Sequence, residues 1–431
     1  MKICADIIAS ILLFVCAIGA TPVAHETPSP WTTSMVVGAR TIYDSNVFLQ
    51  NRSPIITPNG MPDRAGSLVE SVSLSLGAAW KPSSAFAFDV GYSPELTHYQ
   101  RFNSENHNDH RFTTGLLGQN EAWSYDLKGN LLIVDGSSES PIFDHLGGGP
   151  AVGGEPVRSR RDQTITKVTG KITYALCPKA FIRAVGSACF QDFGTTQKPT
   201  TGPGSTPGYA NYVDRSEWSA GADAGWFARK DLALVTGIRV GEQRQANLLG
   251  IKNNYSNTLT RFLIGVEGKI LPKLSLSILA GPDMRHYTDS VATTGFNHNP
   301  TTRYAEATAT WTPAKNDSMS FSMKDFLWLP GGIGAYESTT YDLRWTHTFT
   351  QIWSTNLGFN LQGADNTDYA ILAKQCDDVI YTTTIGTTYT LNTKTKLDLG
   401  VSHEWSDSFV ANTSGREYTR WLVSAGVKYT F

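Results

Sequence analysis

The chain has 431 residues, of which 40% are hydrophobic, 11% aromatic and only 17% charged, whereas soluble domains average about 25% charged residues. Its 36 Lys and Arg residues nearly balance 38 Asp and Glu residues, for a formal net charge of −2, which argues against a nucleic-acid partner because such proteins carry a strongly basic patch or domain. The aromatic content is too high for a disordered chain.

Residues 1–24 are predicted to be a secretory signal peptide. Lys2 precedes an apolar run from Ile7 to Ile18, and small residues follow the run. The run is shorter than the ~20 residues that a transmembrane helix needs, whereas its length is typical of a signal peptide. We therefore expect cleavage near residues 19–24. No later apolar stretch is long enough for a transmembrane helix, so any membrane crossing must use strands.

From Trp31 to the end, apolar and polar residues alternate with a period of two, which is typical of strands with unlike faces. In the segment 353–362, for example, Leu357 and Phe359 share one face and Asn360 lies on the other. Many alternating segments run over roughly twelve to sixteen residues, longer than the five or six usual in a soluble β-sandwich. Long strands with one apolar face are typical of a transmembrane β-barrel.

The alternation predicts eighteen strands. They lie near residues 32–43, 68–80, 84–99, 109–118, 121–134, 162–175, 179–193, 212–228, 231–245, 254–270, 273–289, 301–312, 316–329, 337–349, 352–364, 378–391, 394–406 and 416–431.

The connections between these strands alternate in length. Eight are tight, such as those at residues 81–83 and 229–231, and nine are longer and rich in Gly, Pro and Asn. Bacterial outer-membrane barrels have an even number of strands, short periplasmic turns and long outer loops. We therefore predict that residues 25–431 form one all-β, antiparallel barrel of about eighteen strands in the bacterial outer membrane, surrounded by outer-membrane lipid.

The last strand alternates to the final residue and ends on Phe431. It resembles the terminal signature of bacterial outer-membrane proteins, Gly-x-x-aromatic-x-Phe, with Gly426, Tyr429 and Phe431 at the matching positions. The resemblance implies that the barrel assembly machinery recognises this strand. The alternative is a terminal amphipathic strand of a soluble β protein.

A second resemblance lies near the start of the mature chain. Residues 43–48, Tyr-Asp-Ser-Asn-Val-Phe, follow a predicted first strand. They are similar to the Tyr-Asp-x-Asn-Val-Phe motif of the β-barrel porin 2 (BBP2) family of the outer membrane. The resemblance implies a porin-like barrel, and members of the family are often associated with exopolysaccharide systems.

Charged residues fall on the inward faces of the predicted strands. Basic or acidic side chains on the lipid face are costly, up to ~2–4 kcal/mol for Lys or Arg at the midplane, so the architecture alone explains this placement. The excess of inward Arg and Lys favours a mild preference for anions or anionic sugars. The predicted pore-lining residues are Arg40, Lys128, Lys167, Arg183, Arg239, Arg261, Arg344, Arg420, Asp126, Asp223 and Glu267.

The longest connection, residues 135–161, is the third long loop. In general porins and in specific sugar porins the third outer loop folds inward and narrows the pore, so by resemblance of position this loop is a candidate constriction. Glu139, Asp144 and Glu155 would then face a lumen rich in Arg. The alternative is a flexible surface loop.

Three functions remain open from the sequence. The leading one is a channel for passive diffusion of small hydrophilic solutes, either anions or oligosaccharides. The others are a barrel associated with exopolysaccharide export and a plugged structural or adhesive surface barrel. No catalytic motif such as G-x-S-x-G is present, the His-Asn-Asp-His run at 107–110 is interpreted as a solvated loop end, and we predict neither an enzyme nor a metal or other cofactor. Homo-oligomerisation stays open.

Overall fold

The computed structural model describes residues 29–49, 64–137, 161–194, 213–247, 254–289, 295–329, 335–366, 377–409 and 417–431. In these ranges the chain forms an eighteen-stranded antiparallel sheet and a short 3-10 helix, Asn103–Glu105. None of the helices in the described ranges is long and apolar enough to cross a membrane. The strands are β1 (Trp31–Asp44), β2 (Ser67–Ser83), β3 (Phe86–Tyr99), β4 (His107–Gln119), β5 (Trp123–Ser137), β6 (Arg161–Cys177), β7 (Ala180–Phe193), β8 (Arg215–Arg229), β9 (Leu232–Gln245), β10 (Asn257–Leu271), β11 (Leu274–Tyr287), β12 (Thr301–Trp311), β13 (Asp317–Trp328), β14 (Tyr336–Thr350), β15 (Trp353–Asn366), β16 (Asp377–Thr390), β17 (Thr395–Ser408) and β18 (Tyr418–Thr430).

The sheet closes on itself. Every strand pairs with the next one in the chain, and β1 pairs with both β2 and β18. The β1–β18 register runs from Val36 opposite Thr430 to Asp44 opposite Leu422. In the described sheet every strand therefore has a neighbour on both sides, which a barrel in lipid requires because the bilayer core cannot hydrogen-bond to a free backbone group. The predicted closed barrel of eighteen strands is confirmed.

The motif at residues 43–48 contributes side-chain contacts that join β1 to β18. Asp44 accepts hydrogen bonds from Arg420 of β18 at 3.1 Å (Nε) and 2.6 Å (Nη2). Asn46 donates its backbone N–H to Asp44 at 2.8 Å and its side-chain amide to the Thr419 carbonyl at 2.9 Å. Because Asp44 and Arg420 are both buried, the motif stabilises the contact between the first and last strands.

The connections follow the predicted pattern of eight short turns and nine longer loops. The short turns, the start of β1 and the end of β18 lie at one end of the barrel. One predicted turn is displaced. Residues 81–83 belong to β2, and the turn is Ser84–Ala85. A register irregularity between Trp80 and Ser83 accommodates Pro82, which has no N–H for the ladder.

The outer wall is apolar. Alternate side chains point outward, and the most exposed of the large hydrophobic ones, Ile264 on β10, has 73% of its surface free. Trp218 and Trp226 of β8 are both exposed and lie eight residues apart, about 26 Å along a strand at ~3.3 Å per residue. Such aromatic residues border the apolar band, ~25 Å tall, of an outer-membrane barrel. The wall is therefore suited to lipid.

The end of β13 departs from the wall. Phe326, Leu327, Trp328 and Leu329 are all buried, whereas in a regular wall strand every second residue faces lipid. β12 pairs with β13 only as far as Ala305 opposite Asp325, while β14 stays paired to the end of β13. Residues 326–329, hereafter the inner segment, therefore lean into the lumen together with the start of β14.

Candidate functional site in the barrel lumen

Two large cavities lie among the described residues inside the barrel. The basic cavity, of about 490 Å³, is lined by side chains of β5 to β13. The polar cavity, of about 610 Å³, is lined by β14 to β18 and by Leu49. The walls of the two cavities differ in charge.

The basic cavity carries eight basic side chains and five acidic ones. The basic side chains lie on strands β5 to β10 and on β13. The basic residues are Lys128, Lys167, Lys171, Arg183, Arg215, Arg239, Arg261 and Lys324, and the acidic ones are Asp126, Glu217, Asp223, Glu267 and Glu306.

A buried carboxylate organises one wall of this cavity. Asp223 has no exposed side-chain surface and accepts hydrogen bonds from Arg183 Nε at 2.8 Å and Arg239 Nη1 at 2.6 Å. The second arm of Arg183 reaches Glu267 Oε2 at 2.7 Å. Asp223 faces Gly237 across the β8–β9 ladder, where a Cβ atom would collide with the carboxylate. The glycine therefore provides the space in which Asp223 meets both arginines.

A second buried network lies nearer the long-loop end. Asp283 Oδ2 accepts hydrogen bonds from Arg261 Nε at 2.9 Å and Arg285 Nη2 at 2.7 Å. Arg285 also donates to the side-chain oxygens of Gln243 and Asn257, each at 2.8 Å. These contacts join strands β9, β10 and β11 into a rigid inner surface.

Side chains of β8 and β9 hold the inner segment in place. The guanidinium of Arg215 lies 3.8 Å from the centre of the Trp328 ring and donates to the Leu329 carbonyl. Gln243 donates to the Leu327 carbonyl at 3.2 Å. Because Arg215 belongs to β8 and Gln243 to β9, these bonds tie the inner segment across the lumen.

Apolar clusters surround the inner segment on both sides. The first of them contributes side chains to the wall of the basic cavity. One contains Phe193, Leu263, Tyr304, Phe326 and Trp328, and the other contains Tyr287, Phe296, Leu327, Leu329 and Ala335 with Tyr255 against it.

The polar cavity has a different wall. Arg344 forms an ion pair with Asp342 of its own strand at 2.9 and 3.2 Å. Arg420 forms an ion pair with Asp44, which ends β1. Uncharged side chains such as Asn360 and Thr384 line most of the remainder. Its charges are thus largely balanced within the wall.

The structure distributes the predicted pore-lining residues over three places. Arg344 and Arg420 line the polar cavity. Arg40 lies on β1 and pairs with Glu95 of β3. The other predicted residues line the basic cavity, namely Lys128, Lys167, Arg183, Arg239, Arg261, Asp126, Asp223 and Glu267.

Some predicted residues cannot be assigned to either cavity. β5 extends to Ser137, and Glu139, Asp144 and Glu155 fall between it and β6, outside the described residues. Of the terminal signature, Gly426 and Tyr429 belong to β18, and the Phe431 N–H donates to the Met35 carbonyl at 3.1 Å.

Sequence reasoning missed Arg215, Lys324 and the inner segment. Both cations share the strand parity of predicted inward residues, Arg215 with Asp223 on β8 and Lys324 with the polar face of β13. The run Phe-Leu-Trp-Leu at 326–329 interrupts the period of two, and that interruption was the available signal. In the described ranges no three His, Cys, Asp or Glu side chains are grouped as a metal site would need.

Comparison with known proteins supports the assignment to the outer membrane. The family model described as "Putative beta-barrel porin 2" matches residues 297–431. This is the family that residues 43–48 resemble, and the match lies in a different part of the chain. Together with the closed barrel and its apolar outer wall, the match supports a porin-like barrel. The protein resides in the bacterial outer membrane.

No curated protein matches the sequence. Among solved structures, the chain is similar to the outer-membrane protein OpdK from Pseudomonas aeruginosa, with 10% identity, a TM-score of 0.42 and coverage of 93% of this chain and 99% of that chain. It is similar to OccK2 (OpdF) from the same organism, with 11% identity, a TM-score of 0.41 and coverage of 93% and 98%. It is also similar to the FrpB iron transporter from Neisseria meningitidis, with 10% identity, a TM-score of 0.46 and coverage of 92% and 82%.

Proposed function

We propose that the barrel is a passive diffusion channel for small hydrophilic solutes and that it favours anions over cations. The main support for this proposal is the basic cavity, in which basic side chains outnumber acidic ones by eight to five. A passage lined by an excess of one charge raises the local concentration of oppositely charged solutes. Transport of this kind requires no catalytic residue.

The paired charges on the wall support selectivity in a second way. Arg183, Arg239 and Asp223 hold one another in fixed positions, so the field that a passing solute meets is set by the fold. A side chain that is already hydrogen-bonded on one side needs no rearrangement when an ion approaches. The preference for anions thus belongs to a rigid wall.

The inner segment limits the size of the solute. Four buried residues occupy the lumen at the long-loop side of the basic cavity, and hydrogen bonds from Arg215 and Gln243 hold them there. The same observation favours one alternative, a plugged barrel that does not conduct. Conductance separates the two functions.

Ion selectivity tests the proposal. The mature protein is refolded into a planar bilayer, and the reversal potential is measured under a KCl gradient. We expect a potential displaced towards the equilibrium potential of chloride. The double substitution Lys128→Met and Lys171→Met removes two charges from the basic cavity and is expected to move the potential towards that of potassium.

A matched control substitutes Lys230→Met in an exposed short turn outside both cavities and should leave the potential unchanged. A wild-type channel that prefers potassium would overturn the anion preference. A double variant with the same selectivity as the control would show that the basic cavity is not the selective part of the lumen.

A further inference from the structure

The basic cavity combines positive charge with an apolar wall. Leu263, Tyr304, Phe326 and Trp328 line it and pack on one another. Each of the four side chains is only 3–9% exposed, and the small parts that face the cavity are apolar surface, whose contact with water is unfavourable. A solute with an apolar body would gain by covering it.

Each aromatic ring of this wall has a cation against it. The charged group lies 3.8 Å from the ring centre for Arg215 on Trp328 and 4.3 Å for Arg261 on Tyr304. A third such pair places Lys324 Nζ 4.2 Å from the centre of the Phe326 ring. A small molecule with a negative group and an apolar group could therefore contact a cation and an aromatic ring of the wall at the same time.

Lys324 is the cation that is available to such a solute. Arg215 donates to Gln191 and Leu329, and Arg261 donates to Asp283. In the described part of the chain, by contrast, no hydrogen bond or ion pair engages the Lys324 ammonium, which lies against the Phe326 ring and is attracted by the charges of Glu217 and Glu306. An ammonium with three donors beside an apolar wall is suited to a carboxylate.

The neighbouring acids restrict the charge of the ligand. Glu306 accepts a hydrogen bond from Tyr304 at 2.8 Å, and Glu217 accepts one from Gln243 at 2.9 Å. Both carboxylates line the same cavity and would repel a second negative group on the ligand. The wall therefore suits one negative charge rather than two.

We infer that the basic cavity contains a binding site for organic monoanions with an aromatic or similarly apolar body, in which Lys324 binds the carboxylate and the wall of Phe326, Trp328 and Tyr304 covers the ring. The site names a solute class for the channel proposed above and rests on that function only for transport. Binding itself can be measured without conduction.

The test uses benzoate as the probe, with two matched compounds. Benzamide has the same ring without the charge, and acetate has the same charge without the ring. Binding to the refolded, detergent-solubilised protein is measured by isothermal titration calorimetry. We expect benzoate to bind at least about tenfold more tightly than either compound, because each lacks one of the two interactions.

Substitutions locate the site. Lys324→Met keeps the apolar stem and is expected to weaken benzoate binding about tenfold, the loss of one charge-assisted hydrogen bond, while leaving benzamide unchanged. Lys324→Arg keeps the charge and should retain binding, which controls for folding at this position. Lys230→Met is the exposed control.

Each outcome decides a separate claim. Equal affinity for benzoate and acetate, or full benzoate binding by Lys324→Met, would overturn the site. Benzoate binding by a protein that does not conduct would support the site and overturn the channel function. Conduction without a difference between benzoate and acetate would retain the channel and reject the site.

Discussion

Substitution of Asp223 by Ala should destabilise the barrel strongly. Asp223 is fully buried and bridges Arg183 and Arg239, whose side chains are only 9% and 12% exposed. Removing one partner of a buried ion pair costs about 3–5 kcal/mol, because the remaining charge stays buried without compensation. Glu267 still binds Arg183, so we expect the lower end of this range, about 3 kcal/mol.

Asp342→Ala is the matched control. Asp342 also pairs with an inward arginine, but Arg344 is 46% exposed, and exposed pairs contribute about 0–1 kcal/mol. Urea unfolding of both variants in detergent micelles, followed by tryptophan fluorescence, measures the difference in free energy of unfolding. A difference below about 1 kcal/mol would refute the view that Asp223 compensates two buried cations.

Three further substitutions test other parts of the structure. Ile264→Arg puts a charge on the lipid-facing wall and should cost about 2–4 kcal/mol near the midplane, seen as a lower folded fraction on unheated gels; an unchanged fraction would contradict the lipid-facing assignment. Gly237→Ala should lower the free energy of unfolding, because the added Cβ collides with Asp223, and this loss should be smaller when Asp223 is also replaced by Ala. An equal loss with and without Asp223 would show that the collision is unimportant. Trp328→Ala removes the ring that Arg215 covers and should raise single-channel conductance, whereas an unchanged conductance would show that the inner segment does not narrow the passage.

Much of the fold could be predicted because its signals are local. The period of two and the alternation of short and long connections can both be recognised from residues that are close together in the sequence. Closure of the barrel follows because strands in lipid must have all their backbone groups hydrogen-bonded. The inner segment could not be predicted in this way. Its position depends on Arg215 and Gln243, which lie about a hundred residues earlier in the chain.

The candidate site, like the fold, was only partly predictable from the sequence. Strand parity predicts that Arg183 and Asp223 share the inward side, but their pairing depends on the β7–β8 register. Shifting the register by one residue would turn a strand's side chains to the other face. Lys324 follows the same parity as Ser320 and Ser322. Its role could not be seen, because the aromatic wall beside it forms only when β13 leaves β12.

Single-channel recording of the wild-type protein tests the channel function most directly. Residues 25–431 are refolded, their insertion into the bilayer is verified independently, and current is recorded in symmetric salt. A diffusion channel whose lumen is narrowed by the inner segment predicts small, stable and discrete conductance steps. Verified insertion into a bilayer that stays electrically tight would contradict this function and show that the inner segment closes the barrel.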